Sequence, residues 1–230
     1  MRTVICLTPV VEDMRRRGLL AGLATTATVG LAGCSVLDDD EVTERSAAPA
    51  RVADDALAQT SFESKERRER TTERTLEVAD QRRTVSLRNW QQIYTASVPT
   101  LDFDASRVSL FTTPTVSIAG RDANPFHILD EDQLVAEMGE RVDTDPIEDV
   151  EKTGERPVTV LDEQLTVSEF DARTTVETQE FVLRLHLAQR THEGDLLVLF
   201  ALHPKLLDQT DDIDTLCSGI EHPVETVEED

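Results

Sequence analysis

Apolar positions alternate with polar ones through much of this chain, and the period of two is the signature of half-buried strands. In "RTLEVADQRRTVSL", Leu76 and Val78 alternate with polar residues, as do Val85 and Leu87, around Ala79-Asp80-Gln81. This predicts a hairpin. A third strand is expected in "RVSLFTTPTVSI", where Pro114 withholds one ladder donor and so marks an edge or a bend. Further strands are expected near Val158–Leu161, Leu165–Val176, Gln179–Arg190 and Leu196–Leu202, with turns at Glu177-Thr178 and His192–Asp195. "LLVLFAL" is apolar on both faces and should be the central strand, stopped by Pro204.

Helical periodicity is sparser. Val52, Ala56 and Leu57 share one side of a short segment ending at Gln59. Asp130 followed by Gln133 reads as a capping box opening a helix over 130–138. Ile213, Leu216, Cys217 and Ile220 form the stripe of a last amphipathic helix. The expected fold is α+β: a single domain, a mostly antiparallel sheet with a few short helices packed on it. Its bounds are 51–222, with an acidic tail over 223–230.

Ahead of the domain the pattern changes. Arg15, Arg16 and Arg17 precede a soft apolar run from Gly18 to Gly33, too short and too weakly apolar to read as a membrane span. Two arginines before Gly18-Leu19-Leu20 resemble a twin-arginine export signal. The run closes on Leu31, Ala32, Gly33 and Cys34, which resemble a lipobox: cleavage before the cysteine and a lipid on its sulfur. The expected organisation is a leader over 1–33, with translation starting at Met14, then an acidic tether over 34–50. The expected partners are the twin-arginine translocase during export and membrane lipid through Cys34, on the extracytoplasmic face of the membrane.

Charge sharpens this reading. The chain carries 46 acidic and 23 basic residues, a formal charge of −23. Four arginines and two acids lie before Cys34, so −25 remains from there on. Lys65, Lys152 and Lys205 are the only lysines; the other basic residues are arginines. Such acidity with so few lysines looks like the surface of an extreme halophile's protein, since molar salt screens the self-repulsion. Cys217 is the sole cysteine after Cys34, so the domain has no internal disulfide to staple it.

Taken with the leader's "LAGC", the stretches Asn89-Trp90, "TTPTVSIAG", Asn124-Pro125 and "GIEH" make the chain resemble a family of haloarchaeal lipoproteins classed as a domain of unknown function. The resemblance implies an address and no reaction. The order of strands and helices also resembles, at a distance, the PsbP-type fold of small extrinsic photosystem subunits, a likeness of fold that carries no function.

Candidate chemistry is thin. His186 lies on a strand facing the same side as Arg184, His192 is in a turn, His203 precedes Pro204, and His222 follows the last helix. No two show metal-ligand spacing, so solvated or singly hydrogen-bonded histidines are expected, with no metal and no cofactor. Cys217 falls on the apolar stripe, where a thiol acts as a small core residue. No nucleophile elbow or phosphate-binding glycine loop is present, so no catalytic residue is assigned. Lys65, Arg67, Arg68, Arg70, Arg74, Arg82, Arg83 and Arg88 interleave with acids, which predicts ion pairs across the hairpin and no nucleic-acid face. Arg121, Asn124 and His127 on one loop are the remaining ligand candidates. The function expected is a non-catalytic binding or envelope role. The alternatives are a small-ligand or metal-binding lipoprotein serving a transporter, and an envelope enzyme.

Overall fold

The computed structural model describes residues 43–78, 81–97, 105–118, 121–122, 124, 126, 129–142, 146–176 and 178–225. The export arginines, the lipobox and Cys34 lie outside these residues. The strands are β1 (Thr43–Ser46), β2 (Arg51–Val52), β3 (Glu63–Val78), β4 (Gln81–Ala96), β5 (Ser106–Pro114), β6 (Ser117–Ile118), β7 (Arg121–Asp122), β8 (Glu148–Val160), β9 (Glu163–Val176), β10 (Gln179–His192), β11 (Asp195–Pro204) and β12 (Ile220–Glu221). The helices are α1 (Asp54–Leu57), α2 (Glu131–Arg141) and α3 (Thr210–Ser218).

The main sheet runs β3-β4-β5-β11-β10-β9-β8, every neighbour antiparallel. The α+β reading therefore holds. β11, the "LLVLFAL" strand, is central and buried along its whole length, because helices cover the sheet on both sides and leave its side chains no wet face. The β3–β4 hairpin exists but has 16 residues in each strand, far beyond the four apolar positions that announced it. Charged residues fill most of β3, and the backbone ladder forms regardless of what the outward side chains are.

The third strand meets the second of its two expected readings, a bend. β5 is internal, between β4 and β11. Pro114 is its last residue, so the missing donor coincides with a bend into β6 rather than with an edge. β10 and β11 are joined through Glu193 and Gly194, at φ 52° and 87°. Two consecutive left-handed residues make the turn whose twist suits a hairpin.

Two cores flank the sheet. On one face, α3 and the β2–β12 ribbon bury Val52, Ile213, Leu216, Cys217 and Ile220 against Val108, Leu110, Val167, Ala188, Leu197 and Leu199. There α1 and α3 approach so closely that a Cβ on Gly219 would stand 2.3 Å from the Ala56 Cβ, so this position accepts only glycine. On the other face, α2 lays Leu134, Val135 and Met138 on Phe170, Leu185, Val198 and Phe200. Its capping box is the expected one: Asp130 accepts from the Gln133 amide at 2.9 Å and the Gln133 side chain accepts from the Asp130 amide at 3.1 Å.

The chain after Cys34 enters the fold earlier than the tether bounds suggested. β1 pairs in parallel with Val85–Arg88 of β4, on the strand edge that β5 occupies further along. The Ala47 amide donates to the Arg88 carbonyl (3.0 Å) and the Trp90 indole donates to the Ala47 carbonyl (3.1 Å). Thr112 donates to the Ala48 carbonyl at 2.8 Å, and the buried Tyr94 hydroxyl accepts from the Val52 amide at 2.7 Å. Burial pushes the Tyr94 phenol above its ordinary value, so it stays protonated. Thr43 to Ala50, expected as part of the tether, thus belongs to the domain. At the other end the Val224 amide donates to the Pro49 carbonyl at 3.0 Å, so the domain extends just past residue 222.

Candidate functional site

On the α3 face, each strand runs from apolar to polar along one line of alternate residues. Val158 gives way to Arg156 on β8, Val167 to Glu169 and Asp171 on β9, Ala188 to His186 and Arg184 on β10, and Ala201 to His203 on β11. Register sets these side by side, with Glu169 opposite His186, Asp171 opposite Arg184, and Arg184 opposite His203. The result is a charged patch at the end of the core, walled by Asp214 of α3.

Arg156 is its hub. Its Nε donates to both Asp214 oxygens (3.1 and 3.3 Å) and its Nη2 to Oδ1 (2.6 Å). Its Nη1 donates to Glu169 Oε1 at 2.8 Å and to His186 Nδ1 at 3.0 Å. A guanidinium only donates, so His186 Nδ1 is bare and a neutral His186 carries its proton on Nε2. That proton points at His203 Nε2, 3.0 Å away, whose own Nδ1 donates to the Pro204 carbonyl at 3.0 Å. The ring planes are 17° apart with centroids 5.2 Å apart, so the two rings meet edge to edge. Asp171 closes the patch, accepting from Arg184 Nε at 2.8 Å and Lys205 Nζ at 2.5 Å.

The electrostatics follow from this geometry. Burial, then the charge of Arg156 and the ring of His203, push His186 down to about 3. His203 is also lowered, by burial above all, against the pull of the Pro204 carbonyl. Burial alone would raise Asp171, but hydrogen bonds from Lys205 and Arg184 outweigh it and hold the carboxyl below its usual range. The wire from Arg156 to Pro204 is complete, with every ring nitrogen engaged.

A second relay sits at the opposite end of β10 and β11. His192 Nδ1 and His222 Nδ1 lie 3.0 Å apart, and His222 Nε2 donates to Asp195 Oδ2 at 3.2 Å. The same oxygen accepts the Ala48 amide at 2.7 Å. The half-buried His192 thus connects through the buried His222 to the carboxylate that fastens the segment at Ala48.

Four of the five histidines therefore form two pairs, which corrects the expectation of solvated or singly bonded rings. His186 shares a face with Arg184 as expected, yet it is fully buried. Histidines distant in sequence meet because antiparallel register, not spacing, is what joins them. Among the described residues no group of three or more His, Cys, Asp or Glu is placed to hold a metal. Cys217 is buried in the α3 core, and burial first, with Asp214 adding to it, pushes its thiol up to about 12. Asn124 of the candidate loop is buried, donating to the Pro114 carbonyl (3.3 Å) and accepting from the Phe126 amide (2.9 Å). Arg121 lies on β7, and His127 lies outside the described residues. Sequence reasoning missed Arg156, Glu169 and Asp214; the available signal was charge at inward parity in "SEFDAR" and "LRLHLAQ".

The histidine wire predicts acid sensitivity. An unfolded histidine takes a proton near pH 6.5, whereas His186 in the fold refuses it down to about pH 3. Between those limits the unfolded state binds more protons, so stability is full above pH 6.5 and falls as pH drops. The loss approaches about 1.4 kcal/mol per pH unit for one such histidine, and His203 adds to it. Urea denaturation in molar salt at pH 7.0, 6.2 and 5.5 reads this before the ordinary carboxylates titrate. A midpoint constant across that range would show both rings free to protonate in the fold.

A family model described as a domain of unknown function, DUF6517, matches residues 49–221. Those bounds nearly coincide with the folded domain. No curated protein matches the chain.

Proposed function

We propose, for a chain that belongs to the DUF6517 family, that it is a haloarchaeal cell-surface lipoprotein, exported by the twin-arginine route and held to the membrane through a lipid on Cys34. Its folded domain is a non-catalytic binding or envelope module. The observation that carries this reading is the register of two motifs in one leader. Arg16-Arg17 stands at the start of a soft apolar run, and Leu31-Ala32-Gly33-Cys34 ends it. The acid excess and lysine poverty supply the halophilic part.

The chemistry of the domain supports the non-catalytic part. The Arg156 patch has its donors and acceptors mutually engaged, which rigidifies a surface and leaves no activated base. The Cys217 thiol, at about 12, is held as a poor nucleophile. Stability from a packed core and a saturated network also suits a domain exported already folded.

The test is the intact mass of the protein extracted from its own membranes, beside a Cys34→Ser variant. The expected result is a chain beginning at Cys34 and carrying a lipid, with both the cleavage and the lipid lost in the variant. A full-length, unmodified mass in the soluble fraction would overturn the reading.

A further inference from the structure

We propose that this domain pairs with a second copy of itself, edge to edge through β3, so that the two main sheets run on into one. The inference is independent of the anchor proposed above and gives the domain itself a partner.

The first observation is how unequally the open edges of the sheet are protected. An unpaired strand edge offers a row of amides and carbonyls to any chain that fits, and folds usually spoil such edges. β8 is spoiled along its length. Its register slips between Glu148 and Glu151 and again between Lys152 and Gly154. Asp149 is left-handed at φ 52°, and Pro157 removes a donor from the strand. β1 is only four residues long. β3 has none of these devices beyond Arg67: from there to Val78 its register on β4 is unbroken, with no proline or glycine. No described strand pairs its other edge.

The second observation is charge. Between Lys65 and Thr75, β3 holds five basic and three acidic residues in a chain that is otherwise strongly acidic. Two such domains repel each other least where this strand meets its copy. A two-fold axis normal to the sheet sets the copies antiparallel and keeps each residue on its own face, so only residues of like parity stand opposite. With the axis at Arg70, Arg67 stands opposite the partner's Glu73, and Glu73 opposite the partner's Arg67. Both side chains are exposed. Moving the axis to Thr71 sets Arg68 on the partner's Arg74 and Glu69 on the partner's Glu73. Moving it to Glu69 sets Arg68 on the partner's Arg70. An axis at Arg68 draws the ladder into the irregularity between Ser64 and Arg67. The Arg70 register leaves one like-charge contact, Arg70 on its own copy, against two Arg67–Glu73 pairs.

The third argument is closure. The run from Arg67 to Glu73 and its copy give about seven inter-chain backbone hydrogen bonds, one per residue. The contact needs no apolar patch, because main-chain bonds supply the affinity and side chains the register. It uses the same strand on both copies, so both β3 edges are consumed and the edges left outward are the spoiled ones of β8. The assembly therefore stops at two copies.

The experiment uses the full chain in molar salt and detergent, carrying Arg70→Cys, oxidised briefly and read on a non-reducing gel. In an antiparallel pair centred on position 70 the two new sulfurs lie within disulfide reach. The dimer band is expected to be at least fivefold stronger than in the unsubstituted chain, whose own cysteines set the baseline. It should exceed by as much the band from Thr159→Cys, an exposed position on β8. In the Arg70→Cys background, Arg67→Glu alone or Glu73→Arg alone is expected to raise the concentration for half cross-linking at least tenfold. The two together are expected to restore it, since opposite charges again face each other across the axis. A band at position 70 no stronger than baseline, or no stronger than at position 159, overturns the proposal. So does a dimer indifferent to the single reversals, or one that the double exchange fails to rescue.

Discussion

Replacing Arg156 with methionine is expected to lower stability by about 3 kcal/mol, the largest effect of any single surface-accessible charge in this domain. Methionine keeps most of the aliphatic volume and deletes only the guanidinium. Asp214 then loses a fork of hydrogen bonds, Glu169 loses its 2.8 Å donor, and His186 Nδ1 loses the N–H that set its tautomer. All three partners are at least half-buried, so water restores little of what is lost. Arg156→Lys is expected to recover only part of the loss, because one ammonium cannot reach the carboxylates and the ring together. The comparison is Arg173→Met, whose side chain is 55% exposed and pairs with Glu180 at 3.3 Å. An exposed pair of that kind contributes at most about 1 kcal/mol. Urea denaturation in molar salt separates the two; similar midpoints for both variants would show the patch to be as weak as any exposed pair.

The second large effect concerns salt. Near-UV circular dichroism of the mature domain is expected to be lost almost completely as salt falls from molar to millimolar, and to return when salt is restored. Even if every basic residue from Cys34 onward pairs with an acid, 25 carboxylates remain uncompensated. At about 1 M salt each feels little beyond 3 Å, whereas near 0.01 M the range is about 30 Å, several strand spacings. Short pairs such as Arg156–Asp214 strengthen as screening weakens, but they are few, and the unpaired excess is summed over the entire surface. The reporters are well placed. The chain's one tryptophan and one tyrosine, Trp90 and Tyr94, both lie on β4 and both hydrogen-bond to the 47–52 segment. Their signal therefore reads the docking of that segment as well as the sheet. Full retention in millimolar salt would show that the acidity has no structural cost and would remove the halophilic part of the proposal.

Local patterns carried the elements. Strand alternation and one uniformly apolar run sufficed for β8 to β11, and Asp130 with Gln133 sufficed for the start of α2, because these depend on a residue and its near neighbours. The leader motifs are equally local, which is why the proposed address can be read without any fold. Strand ends were less legible. β3 runs through a charged stretch because its backbone is paired by β4, and β5 is internal because β11 lies beyond it; neither fact is written in those residues themselves. The two histidine pairs and the hub at Arg156 belong to the tertiary structure alone. Each depends on register: which residue of one strand stands opposite which residue of the next. A shift of one position would have turned His186 toward α2. Sequence by itself determined the composition, the charge and the kinds of elements. Only the packing of both sheet faces selected the register, and with it the site.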